Sequence, residues 1–280
     1  MSERPTIAVV GSLNVDPTLR CDRLPRPGET VTGRDFTQRP GGKGANQALA
    51  AARLGADVRM VGRTGADAYA DVALGNLRAA GVDLSLVTQG GPPTGVAMIL
   101  VEATGENQIA VHPGANAVLD LDGVDIADAD AVICQLEIPG GAVAQAARAT
   151  RGMFCLNAAP ALPVPPEALA RADVIVVNET EYAALPSTNA LIALTLGAAG
   201  AVLLKDGGQL ARAAAPAVTA VDTVGAGDTF VAAFVVGLLE GRQPGDALRR
   251  ACVAAALTVT HEGAQTAMPT AAQVDDWTAT

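Results

Sequence analysis

Short, mainly apolar runs alternate along the chain with longer Ala-rich stretches in which apolar positions recur at helical spacing. The runs Ile7–Val10, Val58–Val61, Ala131–Cys134, Val174–Val177 and Ala201–Leu204 have strand length and read as continuous rather than alternating, so they predict strands covered on both faces. The intervening stretches Ala45–Leu54, Ala68–Ala80, Ala142–Ala149, Asp228–Leu239 and Ala247–Val259 predict helices. Strands separated by helices imply parallel pairing through crossovers, and hence a three-layer α/β/α sandwich with a mainly parallel sheet. Two segments break the pattern. Asp16 to Arg39 carries the turn residues Pro25, Pro27, Gly28 and Gly33, and Gly95 to His112 alternates apolar with polar residues. Each is expected to supply a hairpin or extra strand outside the main sheet, together forming a small β appendage.

Composition narrows this picture. The 280 residues are half hydrophobic, with 2% aromatic and 17% charged, so the core must be built from Ala, Val, Leu and Ile and disorder is excluded for most of the chain. Nineteen Lys and Arg against 29 Asp and Glu give a formal charge of −10, which repels nucleic acid and anionic lipid, and no basic patch offsets it. Phe230–Leu239, the longest apolar stretch, falls far short of the roughly 20 residues needed to cross a bilayer. The opening residues read as a strand rather than a signal peptide, so a soluble, cytoplasmic protein is expected. Cys21, Cys134, Cys155 and Cys252 are scattered and His112 and His261 stand alone, which supports neither a disulfide framework nor a zinc site.

Candidate chemistry concentrates where glycines open helices. In Val221 to Phe230, Gly225, Ala226 and Gly227 lead into an apolar helix, so N–H groups and a helix dipole together make an anion pocket. Asp228 stands at the same helix start. There it is expected to be held ionised, able to take a proton from an alcohol while the pocket steadies a transferring phosphoryl group; it can equally serve as an ordinary helix cap. Gly41 to Gln47 also opens a helix, but Gly44 stands where a Walker loop needs Ser or Thr, and Gly11-Ser12-Leu13-Asn14 lacks the second glycine of a dinucleotide fingerprint. What remains, Gly42 with Lys43 and Asn46, suits a polyhydroxylated ligand or is a plain helix start. Asn14 and Asp16 follow the first strand and can take paired sugar hydroxyls. Asn178 and Glu181 follow another strand and suit either magnesium and its waters or a capping box. Glu137, past a third strand, can reach the same edge.

Ten segments in this order resemble the ribokinase family of sugar kinases over nearly the whole chain: Gly11–Asp16, Pro27–Val31, Gly41–Gln47, Thr94–Ala97, Gly105–Asn107, Gly114–Asn116, Asn157–Ala161, Asn178–Glu181, Thr195–Gly197 and Asp222–Phe230. The resemblance implies a single ribokinase-like domain over 1–280, with a lid from about 16–39 and 95–112, that phosphorylates a sugar hydroxymethyl group with ATP. It implies Asp228 as base, Gly225, Ala226 and Gly227 as anion hole, and Asn14, Asp16, Gly42, Lys43, Asn46 and Glu137 as sugar contacts. Asn178, Thr195, Gly197, Gly200 and Gly227 fall at nucleotide positions, and Glu181 at the acidic position linked indirectly to Mg²⁺. A monovalent cation, K⁺ by resemblance, would lie among Asp222, Val224, Thr258, His261 and Gly263. Ala267 departs from the hydroxyl residue usual there, and only thirteen residues, Tyr182 to Leu194, separate the Glu181 motif from Thr195. Ribose is the expected sugar, with another sugar (fructose, 2-keto-3-deoxygluconate) or a nucleoside as alternative acceptor. A silent sugar- or nucleotide-binding protein is the reading from another class, and a homodimer through the lid is also implied.

Overall fold

A computed structural model describes residues 4–278. In chain order the strands are β1 (Thr6–Val10), β2 (Asn14–Cys21), β3 (Gly33–Gly41), β4 (Asp57–Thr64), β5 (Val87–Gln89), β6 (Gly95–Val101), β7 (Asn107–His112), β8 (Ala131–Cys134), β9 (Met153–Asn157), β10 (Val174–Asn178), β11 (Leu191–Thr195), β12 (Ala201–Lys205) and β13 (Gly208–Ala213). The helices are α1 (Lys43–Arg53), α2 (Ala68–Ala79), α3 (Gly140–Ala149), α4 (Pro166–Arg171), α5 (Glu179–Ala184), α6 (Ala226–Leu239), α7 (Pro244–Thr258), α8 (Ala264–Ala267) and α9 (Ala271–Thr278). Every strand and helix expected from the sequence is present, with ends displaced by three residues or fewer. Strands β5, β9, β11 and β13 were not expected.

The main sheet has the order β13-β12-β11-β10-β9-β8-β1-β4-β5 and is parallel from β5 to β11, with β12 and β13 added antiparallel at one edge. Strand β1 shows why its residues are apolar without alternation. Ile7 and Val9 enter the core shared with α1, α6 and α7, whereas Ala8 and Val10 enter the core shared with α3 and α4. Helix α6 is apolar on all sides and correspondingly buried, with Phe230 and Phe234 stacked at 6.2 Å. No helix among the described residues is long and apolar enough to cross a membrane. The four cysteines are buried and free.

The two irregular segments form a second sheet, β3-β2-β6-β7, in which β2/β3 and β6/β7 are antiparallel and β2/β6 is parallel. It hangs from the end of β1. Because β1 pairs with β4 on one side and β8 on the other, the strand order reverses there and the carboxyl ends of β1 and β8 flank a crevice. Helix α1 starts over this crevice at close range. A Cβ on Gly44 would lie 2.5 Å from both Gly11 C and Ser12 N, which are backbone atoms that cannot rotate away. Gly44→Ala is therefore expected to cost about 3 kcal/mol of stability, read from urea unfolding, because overpacking against fixed backbone has no inexpensive relaxation.

Candidate active site

The turn before α6 is shaped by Gly225, whose φ of 81° favours glycine and whose missing Cβ would lie 2.8 Å from Ala264 Cβ. The first helical bond of this turn is Thr229 N–H to Gly225 O at 2.9 Å, so Gly227 and Asp228 N–H precede any helical acceptor. Asp222 braces the turn from below. Its Oδ1 accepts from Val224 N at 3.0 Å and its Oδ2 from Gly263 N at 2.9 Å.

Asp228 is buried, with 7% of its surface exposed, and both oxygens are engaged: Oδ2 accepts from Asn46 Nδ2 and Oδ1 from Gln47 Nε2, each at 2.9 Å. The helix start was expected to hold this carboxylate ionised, and burial acts against that. Burial pushes its pKa up; Lys43 and the two amides pull it down, Glu137 adds to the rise, and the net direction is upward. Loss of hydration outweighs the donors because the site lies between α1 and α6 rather than at the surface.

The remaining sugar-side residues converge on the crevice. Asn14 opens β2, and its Oδ1 accepts from Asn116 Nδ2 at 2.7 Å, which fixes the amide and leaves its Nδ2 as the outward donor. Asn116 is itself held by Leu13 N at 2.9 Å. Asp16 lies two residues on, with Oδ1 cut off from solvent and lacking any donor. Burial, then Glu137 and Asp228, raise its pKa to about 7. Glu137 Oε2 accepts from Ser12 Oγ at 2.5 Å and from Lys43 N at 3.0 Å. It thereby replaces the side-chain cap that Gly42, at φ 89°, cannot provide. Burial opposes the Lys43 charge, but Asp228, Glu137 and Glu181 outweigh it and raise the ammonium pKa. Asn46 has two partners within the protein, Asp228 as acceptor and Gln265 Nε2 as donor at 3.1 Å, and its Nδ2 keeps a second N–H.

On the other side of the turn lies an apolar cavity of about 610 Å³. Thr195, Gly197 and Gly200 line it together with Ala226 and Gly227, so three nucleotide-side candidates meet the glycine turn; Phe230 and Cys252 close its floor. Ala198, one of the small residues after Thr195-Leu196-Gly197, is also in this wall. Asn178 is exposed and stands outside that lining. With Glu181 it forms a reciprocal capping box at 2.9 and 2.8 Å. Glu181 retains one carboxylate oxygen beyond the cap. No cluster of three His, Cys, Asp or Glu able to hold a metal occurs among the described residues. Magnesium accordingly fits here only in its nucleotide-borne mode, one carboxylate with waters and phosphates. Asp222 and the loop from Thr258 to Gly263 lie side by side, Val221 N and Asp222 N both donating to Val259 O at 2.7 and 3.2 Å, which brings the candidate residues for a monovalent cation together.

Sequence reasoning passed over the residues that hold the site together. Gln47 and Asn157 were visible only as the ends of motifs, and Gln135, Gln265 and Asn76 carried no signal. The structure joins them in one buried network: Asn76 to Gln265 (3.0 Å), Gln265 to Asn46, Asn46 and Gln47 to Asp228, Gln135 to Gln47 (2.6 Å), and Gln47 to Asn157 (2.9 Å).

A carboxylate between a hydroxyl-binding crevice and an apolar cavity, beside unpaired helix-start N–H groups, is suited to phosphoryl transfer between a polyol and a nucleotide. The family model described as pfkB family carbohydrate kinase matches residues 4–271. Ribokinase of Bacillus subtilis (strain 168) is 40% identical over 291 residues, covering 96% of this chain and 98% of that protein. The crystal structure of ribokinase from Thermotoga maritima matches with a TM-score of 0.90 and 32% identity over 99% of this chain and 100% of that one. The structure of Arabidopsis thaliana ribokinase complexed with ribose and ATP matches with a TM-score of 0.90 and 33% identity over 98% of each chain. With its fold, its crevice and these likenesses in agreement, the chain belongs to the pfkB family of carbohydrate kinases.

Proposed function

We propose that the protein is an ATP-dependent ribokinase that converts D-ribose to D-ribose 5-phosphate. The observation that supports this reading is the position of Asp228: it faces Lys43 and Glu137 in the crevice and directly follows Ala226 and Gly227, which line the cavity with Thr195, Gly197 and Gly200. Asn14, Asp16, Lys43 and Glu137 orient the sugar, and Gly42 keeps the backbone close to it. Asn46 acts from behind, on Asp228. The hydroxymethyl oxygen attacks the γ-phosphorus in line, the bond to the β-phosphate oxygen breaks, ADP leaves, and the hydroxyl proton passes to Asp228. Gly225, Ala226 and Gly227 present N–H groups to the charge on the transferring group.

Magnesium would travel with the nucleotide, with Glu181 in reach of its waters, and would neutralise phosphate charge. A monovalent cation would lie among Asp222 and the carbonyls of Val224, Thr258, His261 and Gly263; Ala267 withholds the side-chain oxygen a further ligand would need. Residues 1–280 would work as one ribokinase-like domain. The second sheet is its lid, roped to the body by Arg39 with Glu262 at 3.5 Å and Gln38 with Tyr69 at 3.2 Å. Ile109 pairs across to Ile99 and Ile99 to Thr18, which puts Ile109 on the same face as Asp16 although it is 56% exposed. A second copy of the chain is the proposed cover for that face.

In a coupled assay across sugars and nucleosides, ribose is expected to give the fastest ADP release. Asp228→Asn should lower turnover by roughly 10² to 10⁴-fold, whereas retained turnover would remove the base assignment. Asp16 supplies a second test. Its folded pKa lies above the unfolded value, so the stability tied to its protonated form is complete below about pH 4 and is lost as pH rises through about 7. The melting temperature of Asp16→Asn should therefore exceed that of the wild type above pH 7, with the difference vanishing in acid; a pH-independent difference would contradict the assignment. Sedimentation should find a dimer that Ile109→Asp converts to monomer.

A further inference from the structure

Gln47 has no place among the reactants. It is fully buried on α1, one residue past Asn46, and every hydrogen-bonding atom of its amide is used inside the protein. Nε2 donates one proton to Asp228 Oδ1 and the other to Asn157 Oδ1, both at 2.9 Å, while Oε1 accepts from Gln135 Nε2 at 2.6 Å. Asn157 is fixed in turn by Val176 O at 3.1 Å. This arrangement permits only one orientation of the amide. Turned over, its oxygen would face the acceptors on Asp228 and Asn157, and its nitrogen would face the donor on Gln135.

Gln135 pays for that orientation with an unsatisfied atom. It is fully buried and its Oε1 has no hydrogen-bond partner, pressed against Gly11, where any Cβ would overlap it. A buried amide held with one end unpaired is costly unless its other end has a task. That task is to keep Gln47 pointing its N–H at the carboxylate.

We infer that Gln47, oriented by Gln135 and Asn157, is a positioning residue for phosphoryl transfer, holding the Asp228 carboxylate in its charged form and in the rotamer that faces the sugar hydroxyl. The inference rests on the reading of Asp228 as the proton acceptor. A donated N–H favours the ionised carboxylate, and it acts against the burial that favours the acid. The charged groups facing Asp228 are Lys43 from α1, Glu137 from the loop after β8 and Asp16 from β2. Lys43 assists ionisation and the two carboxylates oppose it, so the amide donors decide how far into acid the base stays active.

The test is the pH dependence of kcat, which reports groups in the enzyme–substrate complex, where Asp16 is already engaged by sugar. Gln47→Met keeps the length of the side chain and removes the donor. It is expected to move the acidic limb of kcat up by about one pH unit and to lower kcat near neutrality by about tenfold, with a smaller change in KM for ribose. Gln135→Met, two hydrogen bonds from Asp228, should move the limb in the same direction by less, and it decides the matter if Gln47→Met fails to melt cooperatively. An unmoved limb in the folded variants, or a loss confined to KM, would overturn the inference. Asp228→Asn run beside them separates the two ideas: if it is inactive while both amide variants keep the wild-type limb, only the role of Gln47 falls, and if it stays active the base assignment falls.

Discussion

The site depends on a carboxylate that two packed helices take out of water and then satisfy. Asp228 enters the interior because α6 is apolar on every side and must be covered, and α1 covers it. A carboxylate so placed is stable only if donors replace its lost hydration. Asn46 and Gln47, consecutive on α1, do so one oxygen each. The contact that seals the core therefore also aims the base. It further explains why α1 must start so near β1, with Gly11 and Gly44 in backbone contact, since a wider gap would carry both amides away from Asp228.

Charge is arranged around the same point. Asp228, Glu137 and Glu181 act on a single Lys43, and Asp16 faces Glu137 and Asp228; a crevice with more negative than positive groups favours neutral, hydroxyl-rich ligands over anions. The cavity beside the α6 turn has a lining with no charged residue, and the N–H groups of Gly227 and Asp228 precede any helical acceptor there. In the proposed reading two ligands of opposite character meet at this one glycine turn. Glu137 serves both structure and site, since the carboxylate that faces the crevice also caps α1.

Much of this was legible in the sequence, for identifiable reasons. A continuous apolar run of strand length such as Ala131–Cys134 reads as a strand covered on both faces, and the longer Phe230–Leu239 as a buried helix. Strand β13, Gly208–Ala213, escaped because it is an exposed edge whose residues alternate without an apolar run, and β11 is short and only half-buried. In the site, the residues announced by glycine turns or strand ends cluster around Asp228 and Glu137, and the Asn178–Glu181 motif forms a capping box that leaves one Glu181 oxygen over. The links among the amides were invisible. Gln135 and Gln47 lie 88 residues apart, and Gln265 and Asn46 lie 219 apart; a neutral side chain carries no local pattern that reveals a partner at such distance. The burial that acts against ionisation of Asp228 was hidden for a related reason: a helix start is visible in sequence, but the depth to which the helix is buried is a property of the whole fold.

The central claim is that Asp228 stands between the two reactants, and a structure of the protein with ribose and a non-hydrolysable ATP analogue tests it most directly. The account predicts an Asp228 oxygen within hydrogen-bonding distance of the terminal hydroxymethyl oxygen, with Gln47 still donating to the same carboxylate and the γ-phosphate seated on the N–H groups of Gly225 to Gly227. A ternary complex in which that hydroxyl approaches a different side chain, with Asp228 facing only Asn46 and Gln47, would contradict it.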